Sequence, residues 1–152
     1  MWAPDRKGAR YYPNYDATHL LEMIAARQFT SYEVTLAFCK RAAIAHQLTS
    51  CLTEIFFEEG LETAKHCDDY LAKEGKMMGP LHGLPISLKE TFCVKGVDNT
   101  LGFVKFVGRG PAEHNAALVE ILLKQGAVLY VKTNVPQTMM VISSFPVEVE
   151  LT

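Results

Sequence analysis

The chain has 152 residues, 49% of them hydrophobic and 21% charged, which suits one globular domain with a real core and excludes disorder over most of its length. The formal net charge is -2 and the sequence pI about 6.2, with lysines and arginines scattered, so there is no basic field for a nucleic-acid backbone. No apolar run reaches the roughly 18 residues that a membrane-spanning helix needs. The Met-Trp-Ala-Pro-Asp-Arg-Lys-Gly start lacks the apolar stretch of a secretory signal, so the expected location is the cytoplasm.

Residues 1–15, rich in Arg, Lys, Tyr and Pro, read as an N-terminal arm. Asp16 is placed to cap a short helix with Leu20, Leu21 and Ile24 on one face. Thr30 and Glu33 have capping-box spacing ahead of a longer helix that stripes Val34, Phe38, Ala42 and Ala45. Leu52 to Phe57 reads as a strand ended by Gly60, and Leu61 to Ala72 as a solvent-facing helix. After a Gly-Pro turn, Leu84 to Leu88 is the next strand, and Glu90 to Pro111 is a long irregular connection of the kind that carries function. Ala112 to Gln125 reads as a helix with Leu118, Ile121 and Leu122 inward and Gly126 as its left-handed stop. Ala127 to Val131 is apolar throughout, the mark of a strand buried on both faces. Alternating helices and strands predict an α/β layered fold.

Few residues offer chemistry. Cys39, Cys51, Cys67 and Cys93 are far apart and form no C-x-x-C pair, and the adjacent His66 and Cys67 point about 100° apart on a helix, so no metal site is expected. Gly108-Arg-Gly110 lacks the remaining elements of either nucleotide-binding pattern. His82 reads as a hydrogen-bonded turn residue, and His114 with Asn115 as helix-capping residues. Lys89 stands out because it ends a short apolar strand in Gly79-Pro-Leu-His-Gly-Leu-Pro-Ile-Ser-Leu-Lys-Glu90, which is expected to draw it into the protein. A buried lysine requires an ion pair, for which Glu90 and Glu54 are candidates, or an ammonium that snorkels along its own stem, or catalysis by a neutral amine.

That segment, with Val94-Lys-Gly-Val-Asp-Asn-Thr-Leu-Gly102 and Leu122-Leu-Lys-Gln-Gly-Ala-Val-Leu-Tyr-Val-Lys-Thr-Asn-Val-Pro136, resembles the amidase signature family. Its fungal acetamidase-like and fatty-acid-amide-hydrolase-like members are the most similar in character, and the likeness runs from about Asp16 to Met140. The resemblance implies an α/β/α fold with a mixed sheet. It also implies a Ser, cis-Ser, Lys triad that hydrolyses small-molecule or fatty amides through an acyl-enzyme, without a cofactor. Lys89 matches the family's lysine, which relays the nucleophile's proton through a bridging serine and returns it to the leaving amine. Such a lysine must spend time neutral. An ordinary lysine titrates near pH 10.4, and bringing that to about 7 or 8 takes desolvation worth some 3 to 4 kcal/mol. Ser87 shares the face of Lys89 by the two-residue period of a strand and is placed to orient it.

The family's two serines lie in a Gly-Gly-Ser-Ser-Gly-Gly type segment, which does not occur among Ser31, Ser50, Ser87, Ser143 and Ser144. Ser143 and Ser144 are adjacent but lack flanking glycines, and without them the backbone does not readily form an oxyanion loop, in which each donor is worth about 10²- to 10³-fold in rate. The expected organisation is therefore an arm over 1–15, a partial and truncated amidase-signature domain over 16–140, and a divergent tail over 141–152. A break beginning at valine is what read-through past an exon end would give. The alternation of Val147, Val149 and Leu151 with Glu148 and Glu150 fits either an edge strand or a frayed tail. The chain is expected to be inactive alone and to self-associate through an exposed sheet edge, or to serve as a non-catalytic partner of a full-length relative.

Overall fold

The computed structural model describes residues 15–136 and Met139. Most of the arm and the whole 141–152 tail, including Ser143 and Ser144, lie outside the described residues. The elements run α1 (Ala17–Ala25), α2 (Ser31–Thr49), β1 (Leu52–Ile55), α3 (Phe57–Glu74), β2 (Pro85–Lys89), a 3-10 turn (Val104–Phe106), α4 (Ala117–Lys124) and β3 (Val128–Thr133). The sheet order is β1-β3-β2, with β1 antiparallel and β2 parallel to the central strand. The expected mixed α/β architecture is present. No helix of the described residues is long and apolar enough to cross a membrane.

Local chemistry starts both early helices. The Asp16 carboxylate accepts the His19 N–H at 2.8 Å, and Thr30 with Glu33 completes a reciprocal capping box. Asp68 on α3 adds a long-range cap, accepting the N–H groups of Ser31 at 2.7 Å and Tyr32 at 3.0 Å. This carboxylate sits at the positive end of α2 and locks the two helices together.

Helices α1 to α3 cover one sheet face and α4 covers the other. On the first side Leu20, Ile24, Phe29, Val34 and Leu84 form one cluster, and Cys39, Leu52, Tyr130 and Val131 form another. On the second side Leu88, Leu129 and Val119 pack together, with Phe56 and Leu122 against them. The residues Val128 to Lys132 are buried in β3, as its continuous apolar run predicts for all but the lysine.

Three sequence expectations shift. The first strand stops at Ile55, and Gly60 lies inside α3 rather than ending a strand. Phe56 and Phe57 explain the change, since they serve opposite faces: Phe56 joins the α4 side, while Phe57 stacks on Tyr130 with ring centroids 6.4 Å apart. Glu58 and Glu59 then fall in the first turn of a helix, where acidic side chains are favoured.

The last helix begins at Ala117, later than its composition suggests, because residues 112–116 bond the 93–97 segment instead. Ala112 pairs with Lys95 as an isolated bridge, and the Ala116 N–H donates to the Cys93 carbonyl at 2.9 Å. The third shift concerns the inward face of α4. Val119 is fully buried, whereas Leu118 and Ile121 are exposed and only Leu122 of the expected trio joins the core.

Gly60 is where α3 meets β3 most closely. A Cβ there would lie 2.9 Å from the Leu129 carbonyl oxygen and 3.1 Å from the Tyr130 Cβ. Gly60→Ala is expected to lower the unfolding free energy by about 1–3 kcal/mol through this overpacking, although alanine is the better helix former. Urea denaturation of the two proteins side by side checks it, and an unchanged or higher midpoint would remove the tight contact from the account.

Candidate active site

The Gly79–Gly83 turn is folded onto the joint between α4 and β3. Leu81 N–H donates to the Gln125 carbonyl at 3.0 Å and Gly83 N–H to the Gly126 carbonyl at 2.8 Å. Gly83 has φ of +73°, with the Ser31 side chain where a Cβ would go, and Gly126 has φ of +86° against the His82 backbone. Both positions require glycine for conformation and space. This turn aims β2 so that Pro85 enters beside Val128 and Lys89 ends beside Thr133.

Along β2 the side chains alternate. Leu88 is buried against Val119 and Leu129, while Ser87 and Lys89 are exposed together on the opposite face, facing Val131 and Thr133 in register. Ser87, Thr133 and Val131 line an open groove of about 270 Å³ whose other wall is Phe38, Arg41 and Ala42 of α2. The structure thus brings Ser87 and Lys89 to one surface, as the two-residue period predicts. The expectation that Lys89 is buried fails, since it stands on a face that the described helices do not cover at that end of the strand.

The buried lysine is Lys132. Its side chain is 0% exposed, its Nζ lies 3.6 Å from Oε1 of Glu90, and it donates to the Asp98 carbonyl at 2.8 Å. Glu90 is therefore an ion-pair partner, as its position suggested, but of Lys132 rather than Lys89. Sequence reasoning missed Lys132 because it follows directly on the Ala127 to Val131 run and falls outside the strand predicted to be buried on both faces; the strand continues through it to Thr133.

The same Glu90 oxygen accepts both the N–H and the hydroxyl of Thr100. Asn99, with its amide turned so that Nδ2 donates, bonds the Glu90 carbonyl at 2.8 Å and Oε1 at 3.1 Å. Glu54 of β1 pairs with Lys132 in register, and burial pushes its carboxyl above the usual range, a rise opposed by the Lys132 charge.

The remaining candidates are structural. His82 is buried, its Nδ1 accepting the Met78 N–H at 3.1 Å and its Nε2 without a hydrogen-bond partner among the described residues. Asn115 does not cap α4, whose first position follows Ala116. Its Oδ1 accepts the Lys95 N–H and its amide donates to Glu120. His114 is exposed 4.0 Å from Glu113. Arg109, between the two loop glycines, lies over the Phe106 ring at 3.7 Å, a cation–π contact. All four cysteines are free, and burial pushes the Cys39 thiol up to about 11, which leaves it unreactive as a thiolate. Among the described residues no three His, Cys, Asp or Glu side chains form a group that could hold a metal.

Two outcomes follow from these buried charges. Lys132→Met leaves Glu90 buried without a counter-charge and is expected to cost about 3–5 kcal/mol in chemical denaturation, with Glu90→Gln on top recovering part of the loss. A cost under 1 kcal/mol would mean that water reaches the pair. For His82, burial lowers the folded-state pKa below its ordinary 6.5, so the unfolded chain takes up a proton first as pH falls. Its contribution is complete above pH 6.5 and is lost progressively below it, so the acid-side decline in stability should begin near that pH and be shallower in His82→Gln.

The Amidase family model matches residues 33–146. An amidase of Gibberella moniliformis is 55% identical over 131 residues, which are 86% of this chain and 25% of that protein. An acetamidase of Emericella nidulans is 50% identical over 125 residues, 82% of this chain and 23% of its own. Among solved structures, a fatty acid amide hydrolase superimposes with a TM-score of 0.79 at 44% identity, over 84% of this chain and 22% of that one. The chain thus spans about a quarter of the length of the curated relatives it matches. The Gly-Pro turn, the strand that presents Lys89 and the central β3 all lie within the matched residues, and the chain belongs to the amidase family.

Proposed function

We propose that Lys89 is the general base and general acid of a site that hydrolyses carboxamides to a carboxylic acid and ammonia or an amine. The observation that carries this reading is that Lys89 and Ser87 emerge together at the C-terminal end of β2, next to the open groove under α2. A lysine amine takes the proton of a serine nucleophile as that nucleophile attacks the amide carbonyl, then passes it to the departing nitrogen. Ser87 orients the amine from two positions along the same strand face. It does not attack, because an extended strand holds the two side chains parallel rather than aimed at one reacting atom.

The amidase of Gibberella moniliformis, the acetamidase and the fatty acid amide hydrolase support small or fatty amides as the substrate class of the intact site. The 152 residues carry no Gly-Gly-Ser-Ser-Gly-Gly segment, so these residues supply the base without that segment's nucleophile and oxyanion loop. The proposed outcome is a chain that does not turn over amides by itself. Purified protein should release no ammonia from acetamide, benzamide or a long-chain primary amide above the buffer rate. Turnover that vanishes in Lys89→Ala would overturn the inactivity while upholding the base.

A second reading rests on exposed apolar surface. Ile55 on an outer strand and Leu118 and Ile121 on α4 are about half exposed, at 47%, 44% and 55%. We propose that the chain associates through these faces, with itself or with a full-length relative, as a non-catalytic partner. Sedimentation velocity over a range of concentrations should show mass rising with concentration. A monomer with one sharp, concentration-independent unfolding transition would contradict this.

A further inference from the structure

Lys132 is the charge on which three strands and a loop converge. It is central in the sheet, with Glu54 beside it on β1, Leu88 beside it on β2, the Asp98 carbonyl on its Nζ, and Glu90 across the gap at 3.6 Å. Glu90 directly follows Lys89, and its N–H is fixed to the Thr133 carbonyl at 2.9 Å. Lys89 and Glu90 thus leave the same strand end on opposite faces, one exposed and the other 1% exposed.

We propose that Glu90 and Lys132 act as a positioning pair for Lys89. They fasten the end of β2 to the Asp98–Thr100 turn, and each cancels the field that the other would impose on the Lys89 amine. The proposal rests on Lys89 being the base. A lone buried carboxylate one residue away favours the ammonium form of an amine and so depletes the neutral amine that must take the proton; a lone buried ammonium favours the neutral form but unpins the turn. Only the pair holds the turn and leaves the amine free of a net neighbouring charge. Among the described residues, the other charged groups placed around this strand end are Glu54 on β1, Asp98 in the loop and Arg41 across the groove on α2, and none of them is altered by the test variants.

The test needs no turnover. Trace acetylation with acetic anhydride at low salt, followed by mass spectrometry, gives the labelling of Lys89 as pH is raised, with the exposed Lys73 of the same chain as internal reference. Glu90→Gln keeps an oxygen for Thr100 and leaves the Lys132 charge uncompensated. It should move the Lys89 midpoint down by about 0.4 of a pH unit, the size expected for a charge felt largely through water. Lys132→Met should move it up by a similar amount, and the double variant should return it to the wild-type value. A midpoint that stays put in both single variants, or moves the same way in both, reduces the pair to packing and overturns the proposal. If Lys132→Met does not fold, the near-isosteric Glu90→Gln decides alone, a downward move upholding the pair and any other result overturning it. The base role is tested separately, by turnover in a full-length relative that carries alanine at the position of Lys89, so the failure of one idea is distinguishable from the failure of the other.

Discussion

Burial of β3 on both faces is the constraint from which the rest of the described structure follows. A strand with no wet face must have its backbone groups paired on both edges and its side chains covered above and below. β1 and β2 supply the edges, α2 and α3 cover one face, and α4 with Phe56 covers the other. The close approach at Gly60 and the turn packed onto Gln125 and Gly126 arise from this same demand, because each brings backbone against backbone where a side chain would hold it away.

A strand so enclosed makes any charge within it expensive, and Lys132 is such a charge. Among the described residues its ammonium is stabilised by groups that the sheet and loop deliver together: the Glu90 carboxylate at the end of β2, the Asp98 carbonyl from the loop and the Glu54 neighbour from β1. Glu90 in turn organises Asn99 and Thr100, so a connection without regular secondary structure gains a defined path from one buried ion pair. The proposed base lies next to this arrangement along the chain but faces away from it, which separates the charge that holds the fold from the amine that would do chemistry.

Much of this was legible in the residues. The capping box at Thr30 and Glu33, the Asp16 cap and the apolar run of β3 are local signals, and they produced the expected elements. The motif glycines announced a tight turn, although not that they would press against Ser31 and His82. The errors came where one residue had two possible partners. Ile55, Phe56 and Phe57 look like one apolar strand until the two phenylalanines are assigned to opposite layers. Residues 112–116 look helical until their backbone groups are seen to bond the 93–97 segment. Leu118 and Ile121 carry the helical spacing of a core face, yet rotation about the α4 axis turns Val119 inward instead.

The sequence by itself determined the order of helices and strands, the family likeness and the shared face of Ser87 and Lys89, because capping, periodicity and motif spacing are properties of neighbours along the chain. It also offered Glu90, beside Glu54, as a carboxylate to pair with a buried lysine, taken to be Lys89. Only the tertiary structure decided which cation that is, since Lys132 stands 42 positions away and reaches Glu90 solely through the parallel register of β2 and β3. It also decided that Lys89 is exposed: burial depends on which layers cover a face, and the helices packed here cover that end of β2 on the Leu88 side.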